Sequence, residues 1–344
     1  MPIKALHGTR CPSILQNRHL AMVGDSLTRY QYLSLMFFIE NGTPPPRFGR
    51  PAPGKKCTHI DEYGQEQCST QDKPNMCLER EFGSWSNFHR YIGGHDDGGP
   101  FHGRAECSCA RPGGGSNDTE FIHYASEIKD EEHGKVQLTH INEIGWYLEP
   151  EPLKVLKFTG FSLNGTCRIT QKDSEKMLQR SGNQEWDWSL PLKDALNSTL
   201  KEMLPDVDIV VYNRGMWNEM TTKMTQELMP LFYEWSGGDN GRCFYKSSTQ
   251  SPRSFDRHYM RPKQEWDRVF VQTMLAGCMY LDFAHLTEMF GELAYIKSKL
   301  LNSENGKYNN WEEFDSTFWD EVHYMPWIYE ELNNVMLNVL CNVK

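Results

Sequence analysis

An α/β fold, built as a three-layer α/β/α sandwich around a central parallel sheet, is predicted by three features of the 344-residue sequence. An apolar run, a sharp turn and a helical stripe follow one another near residue 20. A strand, a helix and a second strand follow one another between residues 152 and 212, and a further strand leads into a helix near residue 280.

The first element comes from "HLAMVGDSLTRYQYLSLMFF". Leu20, Ala21, Met22 and Val23 form an uninterrupted apolar run suited to a buried strand, and Leu27, Tyr30, Leu33 and Phe37 recur behind it at helical spacing. Gly24 is expected to permit the tight turn between them. Ser26 then falls in the first helical turn, where unpaired backbone N–H groups and the positive end of the helix dipole favour an anion. Two readings follow: Ser26 is a nucleophile, or Asp25 and Ser26 only cap the helix.

Residues 41–120 lose all periodicity to Gly, Pro, Cys and charge, as in "NGTPPPRFGRPAPGKK", and predict a disulfide-rich insertion forming a minor lobe within a single domain spanning 1–344. His95, Asp96, Asp97 and His102 within it have no diagnostic ligand spacing, and no metal is expected. Regular structure resumes with "PLKVLKFTGF", a strand ending near Gly160. A helix follows over 192–204, with Leu192, Ala195, Leu196, Leu200 and Leu204 on one face. Ile209 to Tyr212 is the next strand and ends at Asn213. Strand, helix and strand in this order imply a right-handed crossover in a parallel sheet, with functional groups at the carboxyl ends of the strands. "AGCMYLDFAHL" predicts a later strand and helix, and Ile328, Leu332, Val335, Met336, Val339 and Leu340 form the stripe of a terminal helix.

The formal net charge of -10 argues against a nucleic-acid or anionic-membrane partner, both of which select for Lys and Arg. No apolar run reaches the length of a membrane span, and the first residues lack the apolar core of a signal peptide, so the chain is either soluble or has lost an N-terminal anchor. Ten cysteines are spread too widely for a zinc spacing, Cys107 and Cys109 included, and most are expected to form disulfides. Asn41, Asn117, Asn164 and Asn197 each begin a glycosylation sequon. Together these features place the protein in an oxidising secretory compartment or outside the cell.

A nucleophilic serine needs a base, and the base needs a carboxylate to set its tautomer. Three DxxH segments qualify on spacing. Asp130 and His133 lie in a charged run that reads as a solvated turn; Asp282 follows a strand and more simply caps the next helix. Asp320 and His323 lie in the aromatic loop "FWDEVHYMPW" before the terminal helix, where packing can hold them at a strand-end site. The oxyanion donors expected are the backbone N–H of Ser26, the backbone N–H of Gly160 and the side-chain amide of Asn213. Trp217, Trp319 and Trp327 offer aromatic faces for stacking on a ligand, or for packing in the core.

In their order along the chain, "MVGDSLTRYQYLSL", "VVYNRGMWN", "YLDFAHLTEM" and "FWDEVHYMPWIYEELNNVML" resemble the motif blocks of the SGNH or GDSL hydrolase superfamily. Within it they are similar to the PC-esterase domain of plant trichome birefringence-like polysaccharide O-acetyltransferases. The resemblance runs from about Cys11 to the C-terminus but is dense only in these blocks, with Arg29 and Gln31 matching the residues that trail the GDS motif. It departs at Glu321 and "YMPW", where relatives carry Cys and a Trp-Cys-Leu-Pro-Gly run, and in lacking their upstream cysteines apart from Cys11. The resemblance implies a Golgi or secretory O-acyltransferase that works by double displacement without metal or nucleotide, needing an acyl donor as co-substrate and a glycan acceptor.

The expected catalytic set is therefore Ser26, His323 and Asp320, with Asp25, Arg29, Trp217 and Trp319 as binding or supporting residues. Two alternatives stay open at this point: an esterase using the same triad, in which water deacylates the serine, and a non-catalytic glycan-binding protein on the same fold.

Overall fold

The structure, a computed structural model, describes residues 14–41, 58–60, 66–68, 105–110, 119–125, 136–142, 167–168, 192–197, 199–214, 220–255, 263–301, 317–318 and 322–342. The strand and helix predicted near residue 20 are β1 (Arg18–Gly24) and α1 (Ser26–Asn41). Short strands β2 (Thr58–Ile60) and β3 (Glu66–Cys68) pair as a separate hairpin. β4 (Ala105–Ala110), β5 (Thr119–Ala125), β6 (Val136–Asn142) and β7 (Cys167–Arg168) follow. The helix expected over 192–204 is divided into α2 (Leu192–Asn197) and α3 (Thr199–Met203), ahead of β8 (Ile209–Tyr212). The remainder is α4 (Thr222–Trp235), β9 (Arg242–Lys246), α5 (Lys263–Leu275), β10 (Met279–Leu281), α6 (Phe283–Leu301) and α7 (Pro326–Asn342).

Among the described residues, eight strands form one sheet in the order β10-β9-β8-β1-β6-β5-β4-β7. The five from β10 to β6 run parallel, which makes the chain an α/β protein; β5, β4 and β7 extend the sheet antiparallel beyond β6. The chain leaves β6 at Asn142, adds β7 beside β4 at the far edge of the sheet, and next enters the sheet at β8, on the other side of β1 from β6. The neighbours of β1 are thus β6 and β8, and the segment 152–161 that was expected to supply a strand lies outside the described residues.

Successive side chains of β1 feed two apolar clusters, as a strand buried on both faces must. Leu20 and Met22 join residues of α1, α6 and α7. Ala21 and Val23 join Leu192, Leu196 and Leu200 of α2 and α3, Phe232 of α4 and Val269 of α5. The helix α1 was expected to be amphipathic, yet Leu27 through Arg29 and Tyr32 through Phe38 are buried. The reason is α7, which covers its outer side: Asn333 Nδ2 donates to the Gln31 carbonyl at 3.1 Å, and Gln31 Nε2 points at the Met336 sulfur.

At the opposite end of β1, His19 joins the loop before β8 to the neighbouring strand. Its Nδ1 lies 3.0 Å from Asp206 Oδ1 and its Nε2 2.7 Å from Thr139 Oγ1. The hydrogen bond from His19 holds the Asp206 carboxyl well below the usual carboxylate range.

Cys243 in β9 and Cys278, just ahead of β10, form a disulfide across 35 residues of sequence. Closing a loop of that size restricts the unfolded chain. Cys278→Ala should therefore lower stability by roughly 2–4 kcal/mol in non-reducing urea unfolding. An unchanged midpoint would show that the bridge is dispensable.

Candidate functional site

In an open parallel sheet, ligand sites lie outside the carboxyl ends of strands where the chain turns to opposite sides. Here that place is β1, with β6 on one side and β8 on the other. Gly24 pairs in register with Asn142, and the Asn213 N–H donates to the Val23 carbonyl at 2.8 Å, so the ends of all three strands reach one level.

Asp25 answers the question of the cap. Its buried carboxylate accepts the Leu27 N–H at 3.0 Å, satisfying a donor that the first helical turn leaves unpaired. Ser26 is thereby released from capping, and its Oγ lies 2.8 Å from His323 Nε2. Both residues are half-buried, so a substrate can approach them. Gly24 serves the turn differently from expectation. It is not among the described residues with positive φ, and what excludes a side chain there is crowding: a Cβ would lie 2.7 Å from the Asn213 carbonyl oxygen and 2.8 Å from Thr28 Cβ.

His323 is held by the loop that carries it. Phe318 and Tyr324 form an antiparallel bridge with their ring centroids 4.4 Å apart, and Met325 N–H donates to the Thr317 carbonyl at 2.9 Å. The buried Tyr324 hydroxyl donates to the Gln250 carbonyl; burial pushes its pKa up and keeps it a donor. Tyr30, one turn beyond Ser26, sets its ring against the imidazole at 4.9 Å and 66°. Asp320 and Trp319 lie outside the described residues, as do Gly160 and Trp217.

Asn213 joins three elements at the site. Its Nδ2 donates to the Lys246 carbonyl at 2.8 Å and to Ser248 Oγ at 3.2 Å, while its Oδ1 accepts from Thr28 Oγ1 at 3.2 Å. The amide sits at the expected strand end, but its N–H groups are engaged with β9 and the segment after it. The bond to Ser248 is the longer of the two, and a hydroxyl acceptor can rotate away. Arg29 is buried, with its guanidinium carbon 5.4 Å from the Tyr30 ring centroid and its Nε without a hydrogen bond among the described residues. The other described DxxH pair acts as the sequence suggests: Asp282 accepts the His285 N–H at 3.3 Å and caps α6. Among the described residues no three His, Cys, Asp or Glu side chains converge to hold a metal, and no helix is long and apolar enough to cross a membrane.

Lys246 is the functional-site neighbour that sequence reasoning missed. It ends β9, is fully buried, and donates from Nζ to Gln31 Oε1 at 2.9 Å, with the Phe283 ring centroid 5.8 Å away. Burial pushes its pKa down to about 8, against the opposing pull of the negative Asp25. The unfolded lysine keeps its proton to about pH 10.4. Between these limits the unfolded chain binds more protons at this group than the native one does, so its contribution makes stability rise with pH. Lys246→Met should remove that rise. The gap in melting temperature between wild type and variant should move in favour of wild type from about pH 8 to pH 10. A constant gap would contradict the assignment.

No protein-family model matches the chain, and no curated protein matches it at a significant level.

Proposed function

We propose that the chain is a serine-dependent O-acyltransferase of the SGNH type, with acetyl as the acyl group and a glycan hydroxyl as acceptor. The observation that carries this reading is the 2.8 Å approach of Ser26 Oγ to His323 Nε2, from opposite ends of the sequence. In the neutral ring with its proton on Nδ1, Nε2 accepts the serine proton. Ser26 Oγ attacks the acyl carbon, His323 takes the proton and passes it to the departing donor group, and an acyl-serine remains. A glycan hydroxyl then attacks that ester, giving its proton to His323, which returns it to Ser26 Oγ as the acetylated glycan leaves. Asp320 is assigned to orient the His323 ring and stabilise the imidazolium.

The oxyanion falls to the backbone N–H groups of Ser26 and Gly160 and to the Asn213 amide, which would release Ser248 on engaging it. The N-terminus of α1 behind Ser26 adds a favourable dipole. Asp25 and Arg29 support the nucleophile turn, and Trp217 and Trp319 are assigned to the sugar. The proposal includes the α/β/α sandwich of that superfamily, supported by apolar clusters on both faces of β1, with 41–120 as a minor lobe. It also includes a secretory location, to which the Cys243–Cys278 disulfide is suited.

Because Ser26 and His323 are both half-buried, water reaches them too, and an esterase is the second reading. Incubation with an activated acetyl ester, followed by intact mass and peptide mapping, tests the shared first step. An acetyl group on Ser26 supports both readings; its absence with bound glycan favours a binding protein. Added oligosaccharide that diverts acetyl from water to sugar selects the transferase.

A further inference from the structure

Histidines aside, the side chains buried among the described residues that carry a full charge at neutral pH are Asp25, Arg29, Arg214 and Lys246. All stand at the carboxyl ends of the strands around Ser26: Asp25 and Arg29 where β1 turns into α1, Arg214 just past β8, and Lys246 as the last residue of β9. In a chain of formal net charge -10, the described interior under the site thus holds three cations and one anion. Buried charges are normally matched, because a lone ion loses more on leaving water than packing returns.

The three cations are satisfied to different degrees. Lys246 has the Gln31 oxygen, and Arg214 Nη1 donates to the Met224 sulfur, a weak acceptor. Arg29 has least. Its backbone N–H donates to the Asp25 carbonyl, but among the described residues its guanidinium makes no hydrogen bond and no carboxylate lies within ion-pair distance of it. Its Nε is sealed from solvent whereas its two terminal nitrogens are not, and the residue as a whole is 7% exposed. The Tyr30 ring offers the cation a face but no acceptor.

The helix sets the direction of that side chain. A helical side chain leans over the turn on its N-terminal side, and residues three apart share a face, so Arg29 covers the turn that carries Ser26. The contacts run the same way: 5.4 Å from the guanidinium carbon to the Tyr30 ring centroid, 4.9 Å from that ring to the imidazole of His323, and 2.8 Å from its Nε2 to Ser26 Oγ. A guanidinium presents a planar fork matched to carboxylate or phosphate oxygens, and the first turn of α1 favours the same sign of charge.

We propose that Arg29 anchors an anion subsite beside Ser26, which takes a carboxylate or phosphate group of the substrate. Resting on the acyl-serine reading, the anion belongs either to the acceptor, as the uronate of an acidic glycan, or to the acyl donor, as a phosphate of an acyl thioester. Isothermal titration calorimetry on Ser26→Ala, which binds without turning over, tests it with trigalacturonate, neutral maltotriose and coenzyme A. At least one anionic probe should bind about 30-fold or more tighter than maltotriose, and adding Arg29→Gln should weaken it by about 30-fold or more. Binding of trigalacturonate places the anion on the acceptor, and binding of coenzyme A places it on the donor. Arg29→Gln should also melt no lower than its parent, since it removes an uncompensated buried charge, and Arg29→Lys should keep part of the binding. Binding of neither anion, or binding that survives Arg29→Gln, overturns the proposal, and so does a glutamine variant that melts well below its parent, which would make Arg29 a structural support. Wild type that acquires acetyl on Ser26 but binds neither anion sinks this inference alone; anion binding that depends on Arg29 in a protein that never acquires acetyl leaves it standing and sinks the catalytic reading.

Discussion

Ser26→Ala should lower turnover of an activated acetyl ester by at least about 10⁴-fold, a loss of roughly 5.5 kcal/mol of transition-state stabilisation. In the proposed mechanism the hydroxyl is the atom that bonds the acyl carbon, and neither Tyr30 nor Thr28 can replace it: Tyr30 packs on the imidazole, and Thr28 Oγ1 is committed to Asn213. His323→Ala should cost a comparable amount, because a serine without a base at 2.8 Å is a weak nucleophile at neutral pH. Since the two side chains act as a unit, the double variant should be little worse than either single one. The serine is half-buried and its backbone cap belongs to Asp25, so the alanine variant should unfold within about 1 kcal/mol of wild type. Turnover retained at the wild-type rate in Ser26→Ala would falsify the nucleophile assignment.

How much of this was legible in advance depends on how each residue meets its partners. β1, β8, β10 and α7 were readable because their apolar side chains are consecutive or helically spaced and face the core directly. β6 was not: Gln137, Thr139 and His140 interrupt its apolar residues, and they are accommodated because Thr139 meets His19 and His140 lies against Tyr32. β9 has only three apolar residues between Arg242 and Lys246, and its lysine is buried by a contact with Gln31, 215 residues away. The α4 helix carries Pro230, a residue that ordinarily ends a helix, and it persists through burial of Leu228, Met229 and Phe232.

At the site, local context made Ser26 and His323 candidates, a serine in the first turn after a strand and a histidine in an aromatic loop, and the structure brings their side chains to 2.8 Å. Tyr30 as the imidazole's neighbour, the Asn213 amide held by Lys246 and Ser248, and the buried ammonium behind the turn all depend on tertiary contacts. No spacing in the sequence encodes those contacts.

Gly24 shows the same distinction between local and tertiary causes, and it carries the second large prediction. A glycine before a helix invites an explanation by backbone freedom, under which alanine would be a mild change. Here the Cβ of an alanine would lie 2.4 Å from Thr28 Oγ1, 2.7 Å from the Asn213 carbonyl oxygen and 2.8 Å from Thr28 Cβ. The Thr28 hydroxyl can rotate, but the Asn213 carbonyl belongs to the backbone at the end of β8. Relief therefore requires β1 and β8 to part or α1 to tilt, and either motion moves Ser26 away from His323. Overpacking of a core typically costs about 1–3 kcal/mol, and displacing backbone lies at or above the upper end. A nucleophile misplaced by 1 Å costs about 100-fold in rate. Gly24→Ala should thus combine a stability loss of about 3 kcal/mol or more with at least a 100-fold fall in turnover of the folded fraction. Pairing it with Thr28→Ala, which removes the Oγ1 that lies nearest but leaves the backbone contact, should restore little of either. Urea unfolding and acetyl-ester turnover on the two variants check this, and near-complete rescue by Thr28→Ala would show that the Thr28 hydroxyl, and not the Asn213 carbonyl, sets the limit.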